Sequence, residues 1–132
     1  MAGPDTRWRL LRALVLAVAA HSVIIGVALL SFPVWALKVA GWDYTGEVFW
    51  PSQAGLFLII LGVAYGAAVR FPPLVWLLIG SKACAFVFLM AHTILLGGAR
   101  ALPSMGAADG LMCLSVSAAF WYARRGTRAD LA

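Results

Sequence analysis

Long apolar stretches alternate with short polar breaks along this chain. Four such stretches cover residues 10–30, 51–69, 73–96 and 103–122. At about 1.5 Å per residue, a helix of this length extends about 30 Å, which is the thickness of the hydrocarbon core of a bilayer. The pattern therefore predicts an all-α fold. We expect an integral membrane bundle of four transmembrane helices that forms a single membrane domain over residues 1–132.

The composition excludes a separate soluble domain. Hydrophobic residues make up 64% of the 132 residues and charged residues only 11%, and the mean hydropathy is +0.95. Soluble domains usually carry about a quarter charged residues. Outside the four stretches only one longer connection and two short tails remain, which is too little for a second core.

The basic residues alternate by side. Those expected on one side are Arg7, Arg9, Arg12, Arg70, Arg124, Arg125 and Arg128. The other side carries only Lys38 and Arg100, beside the acidic Asp43 and Glu47. The positive-inside rule then places both termini in the cytoplasm, and we expect a bacterial inner membrane protein. The net charge of +5 is therefore assigned to anionic lipid headgroups and not to nucleic acid.

The first stretch also has features of a signal peptide, with arginines before an apolar core and small residues at 18–20. We favour a membrane helix because the apolar run continues past His21 to Leu30, which is long enough to span.

Prolines and glycines indicate helix starts and contacts. Prolines at 51, 72, 73 and 103 open three of the stretches, where a missing N–H is harmless. Gly55, Gly62 and Gly66 lie within about 20° of one line on a helix, which predicts a face for close backbone contact. Gly106 and Gly110 repeat the small-residue spacing in the last stretch. The alternative is that small residues are simply frequent in membrane helices.

Residues 31–50 form the only long connection and mix apolar with charged residues. A short interfacial helix and an ordinary ordered loop both fit this mixture.

Ionisable residues inside membrane helices are costly and therefore candidates for function. Lys82 lies about 14 Å from the start of its helix, too deep to reach either surface easily. His21 on the first helix has nearly the same depth, and no carboxylate is expected at that level. Lys82 is predicted to point into the bundle, where the candidate acceptors for its ammonium group are a neutral His21 imidazole, a ligand oxygen and backbone carbonyl groups.

A second group is expected nearer the outer surface. His92 lies four residues before the end of the third stretch and Asp109 a few residues into the fourth. Antiparallel neighbours joined by a short loop bring such depths together, so a His92–Asp109 contact is predicted, either as a proton-handling pair or as mutual satisfaction of two buried groups. Gln53 has a similar depth, but helical geometry turns it about 200° away from Gly55.

No cofactor, metal site or catalytic residue is predicted. A tetrapyrrole held by His21 or His92 is disfavoured: the two histidines lie at depths of about 16 and 28 Å from the cytoplasmic side, which differ too much for both to ligate one haem. Metal-ligand spacings, a phosphate loop and a nucleophile elbow are not found. Cys84 and Cys113 form no C-x-x-C motif, and we expect buried free thiols.

Several segments resemble a known group of proteins. They are residues 50–57 (WPSQAGLF), residues 61–65 (LGVAY), residues 80–82 (GSK) and Asp109. Together they resemble the small four-helix DoxX-like bacterial membrane proteins and, more distantly, the EXPERA type. The DoxX-like resemblance implies a quinone-linked or oxidative-stress redox assembly, and the EXPERA resemblance implies a sterol-like ligand. The acidic pairs of an EXPERA isomerase site have no counterpart in this chain.

The sequence thus favours a non-catalytic role. We expect an accessory or ligand-binding subunit of a membrane complex, with a lipid or quinone-like ligand. The alternative is a membrane enzyme or a proton-coupled carrier that uses Lys82, His92 and Asp109. Membrane lipids are the expected partners, and both a larger complex and a homo-oligomer remain open.

Overall fold

The computed structural model describes residues 4–97 and 99–129, with side chains for residues 6–97 and 99–125. This part of the chain is helical, as predicted. The helices are α1 (Pro4–Ser31), α2 (Pro33–Val39), α3 (Phe49–Ala67), α4 (Leu74–Leu96) and α5 (Leu102–Ala129). The predicted stretches correspond to α1, α3, α4 and α5. Each boundary agrees within a few residues, except that α1 begins earlier and α5 ends later.

Within the described part of the chain, three helices are long and apolar enough to cross a membrane. They are α1 with a mean hydropathy of 2.5 over its best window, α3 with 1.4 and α4 with 2.1. These three helices are candidate membrane spans, which is consistent with a membrane protein. Helix α5 has 28 residues, but its serines, glycines and charged residues lower its hydropathy. The fourth predicted span is thus a helix that does not meet the same criterion.

The four long helices form two antiparallel pairs. In the first pair, Gly26 of α1 faces Gly55 of α3. In the second, Phe86 of α4 faces Gly110 of α5. Helix α1 also packs along α5, whereas α3 and α4 contact each other much less extensively. The first turns of α1, the α3–α4 connection and the last turns of α5 meet at one end, which we call the arginine end.

The pair α1–α3 is held together by glycines. A Cβ atom added at Gly55 would lie 2.6 Å from the Gly26 carbonyl oxygen, and one added at Gly62 would lie 2.9 Å from the Ala19 oxygen. The prediction of a glycine contact face is confirmed for these two positions. It is wrong for Gly66, where an added Cβ would have nothing within 4 Å, so the close contact with α1 does not extend to this position.

The core lies towards the arginine end. Its largest fully buried side chains are Tyr65, Leu78, Val15, Val75, Val116 and Ser22. The Tyr65 hydroxyl lies 2.5 Å from Ser81 Oγ, which also donates to the Leu77 carbonyl at 2.7 Å. These contacts join α3 to α4 close to their short connection.

A short helix covers the other end of the bundle. Of the two alternatives for residues 31–50, a helix is found: α2 starts at Pro33, where proline suits the first turn. Gly41 follows it with a φ of +82°. The Ala101 N–H then donates to the Ala40 carbonyl at 3.3 Å. This bond ties the end of α2 to the α4–α5 connection.

Candidate functional site

A buried ion pair lies in the middle of the bundle. Lys82 Nζ of α4 is 2.6 Å from Asp109 Oδ1 of α5, and the two side chains are only 6% and 14% exposed. Lys82 belongs to the buried face of α4 that also contains Val75 and Leu78. A lysine in this position requires a partner because an isolated charge in an apolar interior is strongly unfavourable.

The predicted His92–Asp109 contact is wrong, and the prediction that no carboxylate lies at the level of Lys82 is also wrong. Phe86 and Met90 of α4 face Gly110 and Gly106 of α5, so the antiparallel register places Asp109 opposite position 87 of α4, about 7.5 Å along the helix axis from Lys82. The long lysine side chain spans the remaining distance. His92 is exposed and its ring packs against Phe88, with 4.9 Å between ring centroids.

A cavity of about 240 Å³ adjoins the ion pair. All four long helices line it, and its lining residues are His21, Ser22, Ile25, Leu58, Lys82, Ser104, Met105, Ala108 and Asp109. Ser22 is 1% exposed, and within the described part of the chain its hydroxyl has no hydrogen-bond partner. Such a group ordinarily finds a partner in the protein, in water or in a ligand.

A larger apolar chamber adjoins this cavity. Its volume is about 590 Å³, and it lies between α1, α3, the start of α5 and the covering helix α2. Its walls include Ala28, Leu29, Trp35, Leu37, Val39, Trp42, Pro51 and Ala54. Ile25 and Met105 line both spaces. The cavity beside the ion pair therefore lies next to the larger chamber under α2.

The arrangement pairs an apolar compartment with a small set of polar groups. Lys82 carries three N–H donors, of which one interacts with Asp109 Oδ1. The Ser22 hydroxyl and the His21 ring add further hydrogen-bonding atoms on the same cavity wall. Ligand sites in proteins commonly have this composition, with apolar walls and a few placed polar atoms. The site suits a molecule with a small oxygen-bearing head and an apolar body.

The structure brings together three of the five predicted site residues. Lys82, Asp109 and His21 line one cavity, whereas His92 and Gln53 are not among the residues that line either space. Gln53 is half-buried in the first turns of α3. Within the described chain, no group of three or more histidine, cysteine or acidic side chains is placed to hold a metal ion.

The two cysteines are free thiols. Cys113 is half-buried, and its thiol donates to the Ile79 carbonyl at 3.6 Å. Cys84 is exposed on the outer surface of α4, so the expectation that both are buried is wrong for Cys84.

Sequence reasoning missed Ser22 and Gly26. Both carry a signal, since Ala19, Ser22 and Gly26 follow one another at three- and four-residue spacings on α1, which place small residues on one face. That face is the one that contacts Gly55 and Gly62. The stripe predicts close packing, but it does not indicate that Ser22 borders a cavity.

Comparisons of this chain with protein-family models, with curated proteins and with solved structures found no match. The DoxX-like resemblance therefore stays a prediction from the sequence.

Proposed function

We propose that this protein binds a small amphipathic lipid, of the quinone-like class, inside its helical bundle. The apolar body of the ligand occupies the chamber under α2. Its oxygen-bearing head reaches the cavity with Lys82, Asp109 and Ser22. The observation that carries this proposal is the buried ion pair of Lys82 and Asp109 on the wall of a cavity next to the apolar chamber.

The size and chemistry of the two spaces support a ligand. The chamber of about 590 Å³ falls within the range of about 300–1,000 Å³ found for small-molecule sites. The lining atoms are mostly apolar, so an apolar molecule in the chamber makes favourable dispersion contacts with them. The Ser22 hydroxyl gains a partner when an oxygen atom enters the cavity.

We also propose that α5 is a fourth membrane-spanning helix. It runs antiparallel to α4 from Met90 opposite Gly106 to Trp76, whose ring lies 5.4 Å from that of Phe120. A helix that follows α4 over this length shares its depth in the bilayer. Its only carboxylate in this region, Asp109, is paired. With four spans both termini lie on one side, which the positive-inside rule assigns to the cytoplasm of a bacterial inner membrane.

A non-catalytic role as an accessory subunit of a membrane complex fits this design. The second candidate is a membrane enzyme or proton-coupled carrier. The observation in its favour is that His21, a group able to accept and donate protons, lines the same cavity as the ion pair. In that candidate His21 takes the place that the sequence had assigned to His92.

The test compares ligand content with the ion pair present and absent. Lys82→Met alone leaves the Asp109 carboxylate buried and unpaired, which costs about 3–5 kcal/mol. The double variant Lys82→Met, Asp109→Leu removes both charges and should keep the stability within about 1–2 kcal/mol of the parent. Lys38→Met, on the exposed side of α2, is the matched control because it makes the same substitution away from the cavity.

Each protein is purified in mild detergent and examined by native mass spectrometry, followed by solvent extraction of the bound molecule. We expect the parent and Lys38→Met to retain the same apolar ligand, and the folded double variant to retain at most a tenth of it. Equal ligand content in the double variant and the parent contradicts the proposal. A double variant that retains the ligand but loses proton transport supports the carrier instead.

A further inference from the structure

A second cleft lies at the arginine end, away from the central cavity. A cleft of about 310 Å³ opens there between α1, the α3–α4 connection and α5, and its lining residues are Trp8, Pro72, Pro73, Trp76, Phe120 and Arg124. The guanidinium of Arg124 lies 5.4 Å from the centre of the Phe120 ring. The cleft therefore places one oriented positive charge among apolar and aromatic walls.

Two further arginines belong to the same end of the bundle. A smaller cleft of about 160 Å³ shares Trp8 and Pro72 with it and includes Arg12. The guanidinium of Arg7 lies 4.6 Å from the centre of the Tyr122 ring. Its buried Nε has no hydrogen-bond partner within the described chain. An N–H donor in this position requires an acceptor oxygen, which the described side chains do not supply.

The charge at this end is strongly positive. The two terminal stretches and the α3–α4 connection contain seven arginines, against two aspartates, Asp5 and Asp130. The carboxylates that the structure describes lie elsewhere: Asp109 is paired in the middle of the bundle, and Asp43 and Glu47 belong to the connection after α2. The excess positive charge at the arginine end therefore favours an anionic ligand.

We propose that this cleft binds the phosphodiester of an anionic phospholipid. The planar guanidinium of Arg124 donates two hydrogen bonds to the phosphate oxygens, a geometry that arginine favours. The indoles of Trp8 and Trp76 contact the glycerol region and the first acyl carbons, at the depth where tryptophan is enriched in membrane proteins. A free phosphate ion leaves these apolar walls uncovered. The proposal is independent of the ligand proposed for the central cavity.

The test uses the full-length protein in neutral detergent, titrated with dioleoyl phosphatidylglycerol or dioleoyl phosphatidylcholine. The salt concentration is 0.15 M, at which the Debye length is about 8 Å. Binding is followed by native mass spectrometry. Arg124→Gln is compared with Arg125→Gln, since both residues are exposed neighbours and both changes remove one positive charge. Only Arg124 lines the cleft. Trp8→Leu alters the cleft at unchanged net charge.

We expect Arg124→Gln to bind phosphatidylglycerol at least fivefold more weakly than Arg125→Gln does, because it loses a bidentate contact in addition to the shared long-range attraction. Trp8→Leu should weaken binding at least twofold, and phosphatidylcholine should bind less tightly than phosphatidylglycerol. Equal losses in the two arginine variants indicate general surface attraction and overturn the site. Displacement of the lipid by an equal concentration of inorganic phosphate, or equal binding of both lipids, also overturns it.

Discussion

Replacing Gly55 by alanine tests the close contact between α1 and α3. An added Cβ would lie 2.6 Å from the Gly26 carbonyl oxygen, 2.7 Å from the Leu30 nitrogen and 3.0 Å from the Leu29 Cβ. Ordinary contacts of a Cβ begin near 3.4 Å. Because two of these three atoms belong to the backbone of α1, no side-chain rotation relieves the clash, and α1 and α3 must move apart by about 0.8 Å.

The expected loss of stability in Gly55→Ala follows from two opposing effects. Forcing extra volume into a tightly packed contact costs about 1–3 kcal/mol, while alanine is favoured over glycine in a helix by at most about 1 kcal/mol. Gly55→Ala should therefore lower the free energy of unfolding by about 1–2 kcal/mol. Gly66→Ala is the control, since the same methyl group there has nothing within 4 Å, and it should leave the stability unchanged or raise it by up to about 1 kcal/mol.

The assay is equilibrium unfolding in mixed micelles with increasing sodium dodecyl sulfate, followed by far-ultraviolet circular dichroism. Both variants are measured beside the parent protein under one set of conditions. A Gly55→Ala variant as stable as the parent would show that α1 and α3 do not approach as described. A Gly66→Ala variant as unstable as Gly55→Ala would show that glycine acts here through helix flexibility and not through contact with α1.

Two further predictions follow from the polar contacts and the charge pattern. Because Ser81 Oγ donates to a carbonyl of its own helix, it accepts from the Tyr65 hydroxyl. Ser81→Ala should therefore leave the buried tyrosine hydroxyl without an acceptor and lower the free energy of unfolding by about 1–3 kcal/mol, whereas Tyr65→Phe should lower it by about 0.5–1 kcal/mol. The same micelle unfolding measures both variants, and the reverse order of the two losses would refute this donor assignment. In a variant without the native cysteines, single cysteines at Arg70 and Arg125 should resist an impermeant thiol reagent in intact cells, while one at Glu47 reacts. Different protection at Arg70 and Arg125 would show that the α3–α4 connection and the end of α5 lie on opposite sides of the membrane.

The lipid environment of this protein and its division into helices follow from local features of the amino-acid sequence. The apolar stretches are too long and too poor in charge for a soluble domain, and a backbone in lipid must satisfy its hydrogen bonds within helices. The positions of Lys82 and Asp109 inside such stretches also identified them as candidate site residues, since charges there are rare. Gly55 and Gly62 could be assigned to a contact face from their seven-residue spacing alone, which returns nearly to one side of a helix.

Contacts between residues of different helices, in contrast, depend on how the helices pack against one another. Counting depth along each helix separately predicted His92 as the contact partner of Asp109. The contact is made by Lys82 instead, because Lys82 lies on the buried face of α4 whereas His92 is exposed. The cavity next to Ser22 and the chamber under α2 arise where four helices and a connection converge, so no single segment encodes them. Local periodicity fixes which face of a helix is small or polar, whereas the relative rotation and translation of helices depend on the packing of all of them at once.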